Sequence, residues 1–132
     1  MATVTQKLTI TSTDLLSQVL SLSVAKSVSA SNTTGLARNT ITSTAKGTSS
    51  GQVTLYTSGE YTSPNYLFIK NTDTTETDYV SVYADTSSDD PDLLYIPGGG
   101  FAILPLTSGI TLKAYATTSG TVVEFMTFGT EA

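Results

Sequence analysis

The sequence predicts an all-β fold, an antiparallel jelly-roll-like β-sandwich formed by a single domain. Serine and threonine together make up roughly a third of the 132 residues, well above ordinary globular usage. Apolar and polar residues alternate over short segments, which is the period of a half-buried strand. Turn-forming residues separate these segments every 8 to 12 residues or so, a spacing typical of sandwiches and barrels.

Two alternating segments begin the chain. Leu8 and Ile10 alternate with polar residues over 7–11, and a longer alternation follows over 20–30. The chain between them, residues 14–20, also fits one turn of a helix, because its apolar positions share a helix face. Whether a helical turn forms between the two predicted strands therefore remains open.

Residues 1–14 are predicted to form an N-terminal arm, and residues 15–132 the sandwich domain. Turn chemistry at residues 32–35 and 47–51 brackets a polar strand. The predicted strands after the arm are 20–30, 39–45, 52–56, 66–71, 78–85, 93–96, 101–104, 111–116 and 121–128.

The last two strands have the strongest local signal. Residues 111–116 and 121–128 both alternate, and Thr117-Thr118-Ser119-Gly120 joins them. Four loop residues ending in glycine suit a β-hairpin. The sequence therefore predicts that these two strands pair with each other.

The residue types argue against catalysis. Without histidine or cysteine, the chain lacks Ser-His-Asp and Cys-His systems and the usual zinc ligands. Two Ser-x-x-Lys matches, Ser23 with Lys26 and Ser43 with Lys46, require a helical turn to bring the amine to the hydroxyl. On strands this spacing puts the two side chains on opposite faces. We expect no enzyme activity, no catalytic residues and no cofactor.

The acidic segment around Asp89, Asp90 and Asp92 has two interpretations. Its oxygens suit calcium, while a solvated turn between strands explains the same residues and is favoured, so no metal site is predicted. The glycine run 98–100 lacks the Lys-Ser/Thr of a phosphate loop. No spacing singles out a glycosidase pair among the remaining carboxylates considered, Glu60, Glu76, Asp78 and Glu124.

Charge and hydropathy limit the partners. Eleven acidic residues against six basic ones give a net charge of −5, which opposes binding to phosphate backbones and anionic membranes. The chain has no apolar stretch of the ~20 residues that span a bilayer, and its first residues lack the pattern of a signal peptide. Nucleic acid and membrane are therefore not expected partners.

Interface residues are predicted among the tyrosines and the arm. Tyrosine is enriched in interfaces because its ring is apolar and its hydroxyl forms hydrogen bonds. Of the seven tyrosines, most are expected to be half-buried strand residues. The predicted interface residues are Leu8, Ile10, Tyr56, Tyr61 and Tyr66.

Residues 52–132 resemble small virion proteins of tailed bacteriophages, notably those of cyanophages. The resemblance lies in the style and order of the segments, and Ile103 stands where an aromatic residue is expected. It implies a β-sandwich in a capsid decoration, neck or tail-associated subunit, with no active residues. The segments that carry it are Tyr66–Thr74, Asp78–Tyr83, Gly100–Leu106, Leu112–Ala116 and Val123–Ala132.

Three function classes follow. The first is a capsid decoration or cement protein that binds the major capsid protein or other virion proteins and forms a homo-oligomer. The second is a neck, tail or fibre component, and the third is a carbohydrate-binding adhesin or an enzyme. The first two imply a location in the virion, at the capsid surface or head-tail region, after assembly in the host cytoplasm.

Overall fold

A computed structural model describes residues 1–14, 19–48, 50–87 and 89–131, without the side chains of residues 63 and 64. The chain is all-β, with 60% of it in strands that form several antiparallel sheets. It divides into two compact units, Met1–Ser31 and Asn32–Ala132. Each unit is described separately.

Most of the predicted strands are confirmed, usually within two or three residues of their predicted ends. The alternating segment at 7–11 belongs to a longer strand, while the two-residue strand at 32–33 was predicted as a turn. The strands are β1 (Ala2–Ser12), β2 (Leu20–Ala30), β3 (Asn32–Thr33), β4 (Ala37–Ile41), β5 (Val53–Tyr56), β6 (Tyr61–Asn71), β7 (Val80–Ala84), β8 (Asp92–Ile96), β9 (Phe101–Leu106), β10 (Leu112–Ala116) and β11 (Thr121–Glu131).

The first unit is a long antiparallel pair of β1 and β2. Its register runs without a shift from Ala2 opposite Ala30 to Ser12 opposite Leu20. The boundary between compact units thus follows Ser31, whereas the sequence predicted an arm that ends at residue 14. The helical turn considered for 14–20 includes residues 15–18, which lie outside the described residues.

The second unit consists of two antiparallel sheets. One has the strand order β5-β10-β7-β8; the other has the order β3-β11-β6-β9, with β4 also paired to β11. The pairings are nested along the chain, since β4 pairs with β11, β5 with β10, β6 with β9 and β7 with β8. The chain from β4 to β11 therefore pairs as if it were folded in half, with successive strand pairs placed alternately in the two sheets.

One hydrophobic core joins the two sheets, as expected for a sandwich. Every strand of this unit except β3 and β9 contributes at least one buried core residue, and Ala102 and Leu106 of β9 pack against the core. The fully buried members include Ile41, Leu67, Ile69, Val80, Val82, Ala114, Ala116 and Val123.

The predicted pairing of 111–116 with 121–128 is wrong. Strand β10 pairs with β5 and β7, while β11 pairs with β3, β4 and β6 in the other sheet. The connection crosses from one sheet to the other, with Gly120 at φ +98° and its N–H donating to the carbonyl of Ile41. Both arrangements require the same alternation, because the inward residues of β10 and β11 face one core from opposite sides.

Candidate interaction surface

The β1–β2 hairpin carries an apolar surface that is exposed. Leu8 lies opposite Val24, and Ile10 lies opposite Leu22. Directly opposite residues of an antiparallel pair share a face, so these four side chains form one patch, called here the hairpin patch. They are 41%, 52%, 43% and 45% exposed respectively.

The other face of the hairpin is polar along the same stretch. Thr9 lies opposite Ser23, and Thr5 lies opposite Ser27, with the hydroxyl oxygens of Thr5 and Ser27 2.9 Å apart. The hairpin is therefore amphipathic, as strands are when one face packs on another layer of protein.

A two-stranded hairpin is marginally stable by itself in water. Covering apolar surface contributes about 25 cal/mol per Å², or about 1.5–3 kcal/mol for a fully buried Leu, Ile or Val side chain. A second layer of protein over the hairpin patch would thus stabilise the hairpin by several kcal/mol. The hairpin patch is therefore the candidate interaction surface of this unit.

The five predicted interface residues fall into two groups. Leu8 and Ile10 lie in the hairpin patch, while Tyr56, Tyr61 and Tyr66 are buried, at 1%, 2% and 7% exposure. An interface role for Leu8 and Ile10 stays a prediction that their exposure supports. Burial takes the three tyrosine side chains away from any surface that a rigid partner could contact.

The buried tyrosines stabilise the sandwich. Tyr56 and Tyr61 stack with ring centroids 6.3 Å apart, and the amide of Asn65 donates to the Tyr56 hydroxyl at 3.2 Å. Tyr66 stacks on Phe128 at 5.3 Å. Burial raises the pKa of Tyr61, in part against a hydrogen bond with Thr127. Tyr56 and Tyr61 belong to the core between the two sheets. Tyr66 lies on the opposite face of β6 from the core residue Leu67, because successive side chains of a strand point to opposite faces.

Leu22 and Val24 complete the hairpin patch but were not predicted as interface residues. Their signal was present in the sequence, since both lie on the apolar side of the alternation over residues 20–30. The missing information was the pairing of that segment with β1, which brings residues 12 and 16 positions apart in the chain opposite each other across the hairpin.

A second cluster of interacting side chains lies on the outer face of the four-stranded sheet. Asp92 accepts hydrogen bonds from the hydroxyls of Tyr95 at 2.8 Å and Tyr115 at 2.7 Å, and Lys46 Nζ lies 3.1 Å from its other oxygen. The Lys46 amine also lies 5.5 Å from the ring centre of Tyr83, a distance suited to a cation–π interaction.

This Asp92 cluster attaches the β4–β5 connection to the sheet. Lys46 and Gln52 both come from that connection, and Gln52 accepts a hydrogen bond of 2.6 Å from the Tyr83 hydroxyl. Burial opposes the charged form of Asp92, but hydrogen bonds from Tyr115 and Tyr95 and the nearby Lys46 outweigh it and lower its pKa. The cluster is thus a structural link between a loop and a sheet.

The acidic segment does not bring its carboxylates to one point. Asp90 accepts hydrogen bonds from the Thr86 hydroxyl and from the Ser87 N–H at 2.9 Å, while Asp92 is directed at Lys46 and the two tyrosines. Within the described ranges, no group of three potential ligands among His, Cys, Asp and Glu could hold a metal ion.

The serine and the lysine of each Ser-x-x-Lys motif are also directed to different places. Ser23 and Lys26 lie three positions apart on β2 and so on opposite faces. The Ser43 hydroxyl donates to the Ala45 carbonyl at 2.8 Å, and Lys46 is directed at the Asp92 cluster. Of the carboxylates considered, Glu124 pairs with Arg38 at 3.1 Å.

Comparison with protein-family models, with curated proteins and with solved structures gives no match for this chain. Among the described residues, no helix is long and apolar enough to cross a membrane. The surfaces described above therefore carry the functional argument.

Replacing Asp92 tests the role of its cluster. We expect Asp92→Asn to lower the free energy of unfolding at neutral pH by about 1–3 kcal/mol, the range for hydrogen bonds to a charged group with little solvent access. Because the folded-state pKa is lowered, the stabilisation is present above the unfolded pKa of about 3.9 and is lost as pH falls through the folded value. Urea unfolding at a series of pH values measures both effects.

The matched control is Asp89→Asn, which removes the same charge at an exposed position. We expect a change within about 0.5 kcal/mol for this variant. The free energies of unfolding of wild type and Asp92→Asn should converge as the pH falls into the acid range. A difference that stays constant down to the lowest pH would contradict the role assigned to the Asp92 carboxylate.

Proposed function

We propose that this chain is a non-enzymatic structural subunit of a tailed-bacteriophage virion, a capsid decoration or cement protein that stabilises the head shell. The observation that carries the proposal is the hairpin patch, four apolar side chains of a two-stranded unit that are 41% to 52% exposed. The resemblance of residues 52–132 to small virion proteins supports the class. The hairpin supplies the means of attachment.

The nested strand pairing supports a jelly-roll-like sandwich as part of this proposal. With β4 to β11 numbered one to eight, the sheets have the orders 1-8-3-6 and 2-7-4-5. An eight-stranded hairpin that wraps into two sheets gives these orders. Jelly rolls of two Greek keys occur in viral capsid domains and in lectins, so the fold suits the first and third function classes.

Attachment through the hairpin requires no side-chain chemistry. The apolar patch gains free energy as a neighbouring virion protein covers it, and the outer edges of the two-stranded sheet can add to a neighbour's sheet. The major capsid protein is the expected neighbour. A net charge of −5 favours such protein contacts over nucleic acid or anionic lipid.

Many copies on one shell reinforce each other. Each hairpin contact is modest, but simultaneous engagement raises the overall affinity because later contacts form at a high effective concentration. A symmetric lattice repeats the same contact at every equivalent position. The subunit then acts by linking its neighbours, so that particles break at a higher temperature than they do without it.

Charges placed in the hairpin patch test this function. We expect Leu8→Glu with Val24→Glu to abolish incorporation into particles, because the two carboxylates cannot be buried against a partner without a large desolvation cost. The sandwich unit should stay folded, since neither residue belongs to its core. Gel analysis of purified particles measures incorporation, and light scattering during heating measures particle breakage.

The control is Thr9→Glu with Ser23→Glu, on the polar face of the same hairpin. Thr9 and Ser23 face each other across the strands just as Leu8 and Val24 do, so the charge added and the cross-strand repulsion match. This variant should decorate particles at nearly full occupancy. Equal loss in both variants, or no loss in either, would exclude attachment through the hairpin patch.

A neck, tail or fibre location is the alternative within the same class. The hairpin patch would serve equally well there, because it requires only a protein neighbour. Gold labelling of the subunit on intact particles separates the two locations. Label over the whole head supports decoration, and label at one vertex or along the tail supports the alternative.

A carbohydrate-binding adhesin is favoured by one further observation. Tyr95 is 63% exposed and Tyr79 is 38% exposed, and their rings meet edge to face at 6.5 Å. Exposed aromatic rings beside hydrogen-bonding groups are what sugar rings stack on, and the Tyr95 hydroxyl already donates to Asp92.

Glycan binding is tested on the same protein. If the sandwich is an adhesin, Tyr95→Ala should abolish binding to a glycan array, while Leu93→Ala, an exposed apolar neighbour on β8, should leave it unchanged. A decoration protein should show no glycan binding in either form. Saturable binding that Tyr95→Ala removes would favour the adhesin.

A further inference from the structure

The sandwich carries a second exposed apolar surface, on the outer face of its five-stranded sheet. Ile103 of β9 lies opposite Phe68 of β6, which lies opposite Met126 of β11. These three side chains form a row across neighbouring strands. Their chain neighbours Leu67, Ile69 and Phe125 face the core, so the row faces outward.

Exposure is greatest at the free edge of this row. Phe101 and Ile103 of the edge strand β9 are 57% and 38% exposed, and Phe68 and Met126 are half-buried. The outer face of a sandwich sheet is ordinarily polar, with apolar residues only on the inner face. An apolar row at this position, called here the sheet patch, indicates contact with another protein layer.

Charge distinguishes the two compact units. Residues 1–31 contain two lysines and one aspartate, a net charge of +1, while residues 32–132 contain four basic and ten acidic residues, a net charge of −6. Contact between the sandwiches of two copies brings charges of the same sign together. Contact between the hairpin of one copy and the sandwich of another brings opposite net charges together, and complementary charge favours the encounter.

We propose that the hairpin patch of one copy packs on the sheet patch of a second copy, so that the protein forms an arm-exchanged homo-oligomer. This inference deepens the proposed function, on which it rests, because it names one neighbour that the hairpin contacts. Aliphatic side chains of the hairpin meet the aromatic and aliphatic row of the sheet. The hairpin patch and the sheet patch thus form the two layers of one interface.

The size of the hairpin favours a closed assembly. Eleven residues per strand extend for about 35 Å, and two strands are about 10 Å wide, so one face covers on the order of 350 Å². A standard interface buries about 800 Å² per partner. If every copy both gives a hairpin and receives one, the area per copy doubles and approaches this value, as closed symmetry allows.

Single-cysteine variants test the contact. The chain has no cysteine, so Val24→Cys and Ile103→Cys each place one thiol, in the hairpin patch and in the sheet patch respectively. The two variants, one carrying a tag that changes its mass, are mixed and treated with a short bismaleimide. We expect about tenfold more 24–103 product than random encounter gives, because docking holds the two thiols at high effective concentration.

Leu93→Cys supplies the control for random encounter. Leu93 is a 50% exposed apolar residue of β8, an edge strand of the other sheet. The mixture of Val24→Cys with Leu93→Cys should give only the background yield. Equal yields from the two mixtures would overturn the inference.

A hairpin that folds back on its own sandwich gives a different result. The variant with both Val24→Cys and Ile103→Cys would then cross-link within one chain at low concentration, and wild-type protein would scatter light as a 13.8 kDa monomer. Either finding would overturn the homo-oligomer. A different result would contradict the proposed function: normal incorporation of the Leu8→Glu, Val24→Glu variant into particles.

Discussion

A β-sheet with one apolar face needs a second layer, and the two units of this chain satisfy that requirement differently. The sandwich brings two sheets together over one core, so that Leu67 and Val82 are removed from water completely. The hairpin consists of two strands, and its apolar side chains Leu8 and Val24 stay about half exposed. In the proposed function, covering the hairpin patch is the step that yields free energy on assembly.

The nested pairing of β4 to β11 explains how a chain of low charge and high threonine content forms a stable sandwich. Pairing of the first strand with the last, and of each inner pair in turn, keeps neighbouring strands antiparallel throughout. Polar interactions then attach the connections to the sheets. Asp92 illustrates this, since it joins two tyrosines of the four-stranded sheet to Lys46 of a long connection, and its lowered pKa reflects those partners.

Strand positions were predictable from the sequence because alternation with period two is a local property. The partners of the strands were not, since residues 111–116 and 121–128 alternate equally well in one sheet or in two facing sheets. The Asp92 cluster joins residues 46, 92 and 115, which no local pattern connects. Burial of Tyr56 was missed for the same reason, because its neighbours come from other strands.

Two of the four residues of the hairpin patch were predicted from the sequence. Alternation identified Leu8 and Ile10, and the same alternation contained Leu22 and Val24, but only the register of β1 with β2 joins them into one patch. The sheet patch was harder to predict. Its members come from three strands: Phe68 is 35 positions of the chain from Ile103 and 58 from Met126, the residues that lie opposite it. Their outward direction follows from the fold.

Hydrogen exchange of the hairpin amides tests the central claim most directly. The claim is that β1 and β2 gain their stability from a protein neighbour and lack it alone. In dilute isolated protein, amides of residues 2–12 and 20–30 should exchange much faster than those of β6, β7 and β11, and assembly should slow them to comparable rates. Hairpin amides as well protected in the dilute monomer as those of the sandwich core, and unchanged by assembly, would contradict the account.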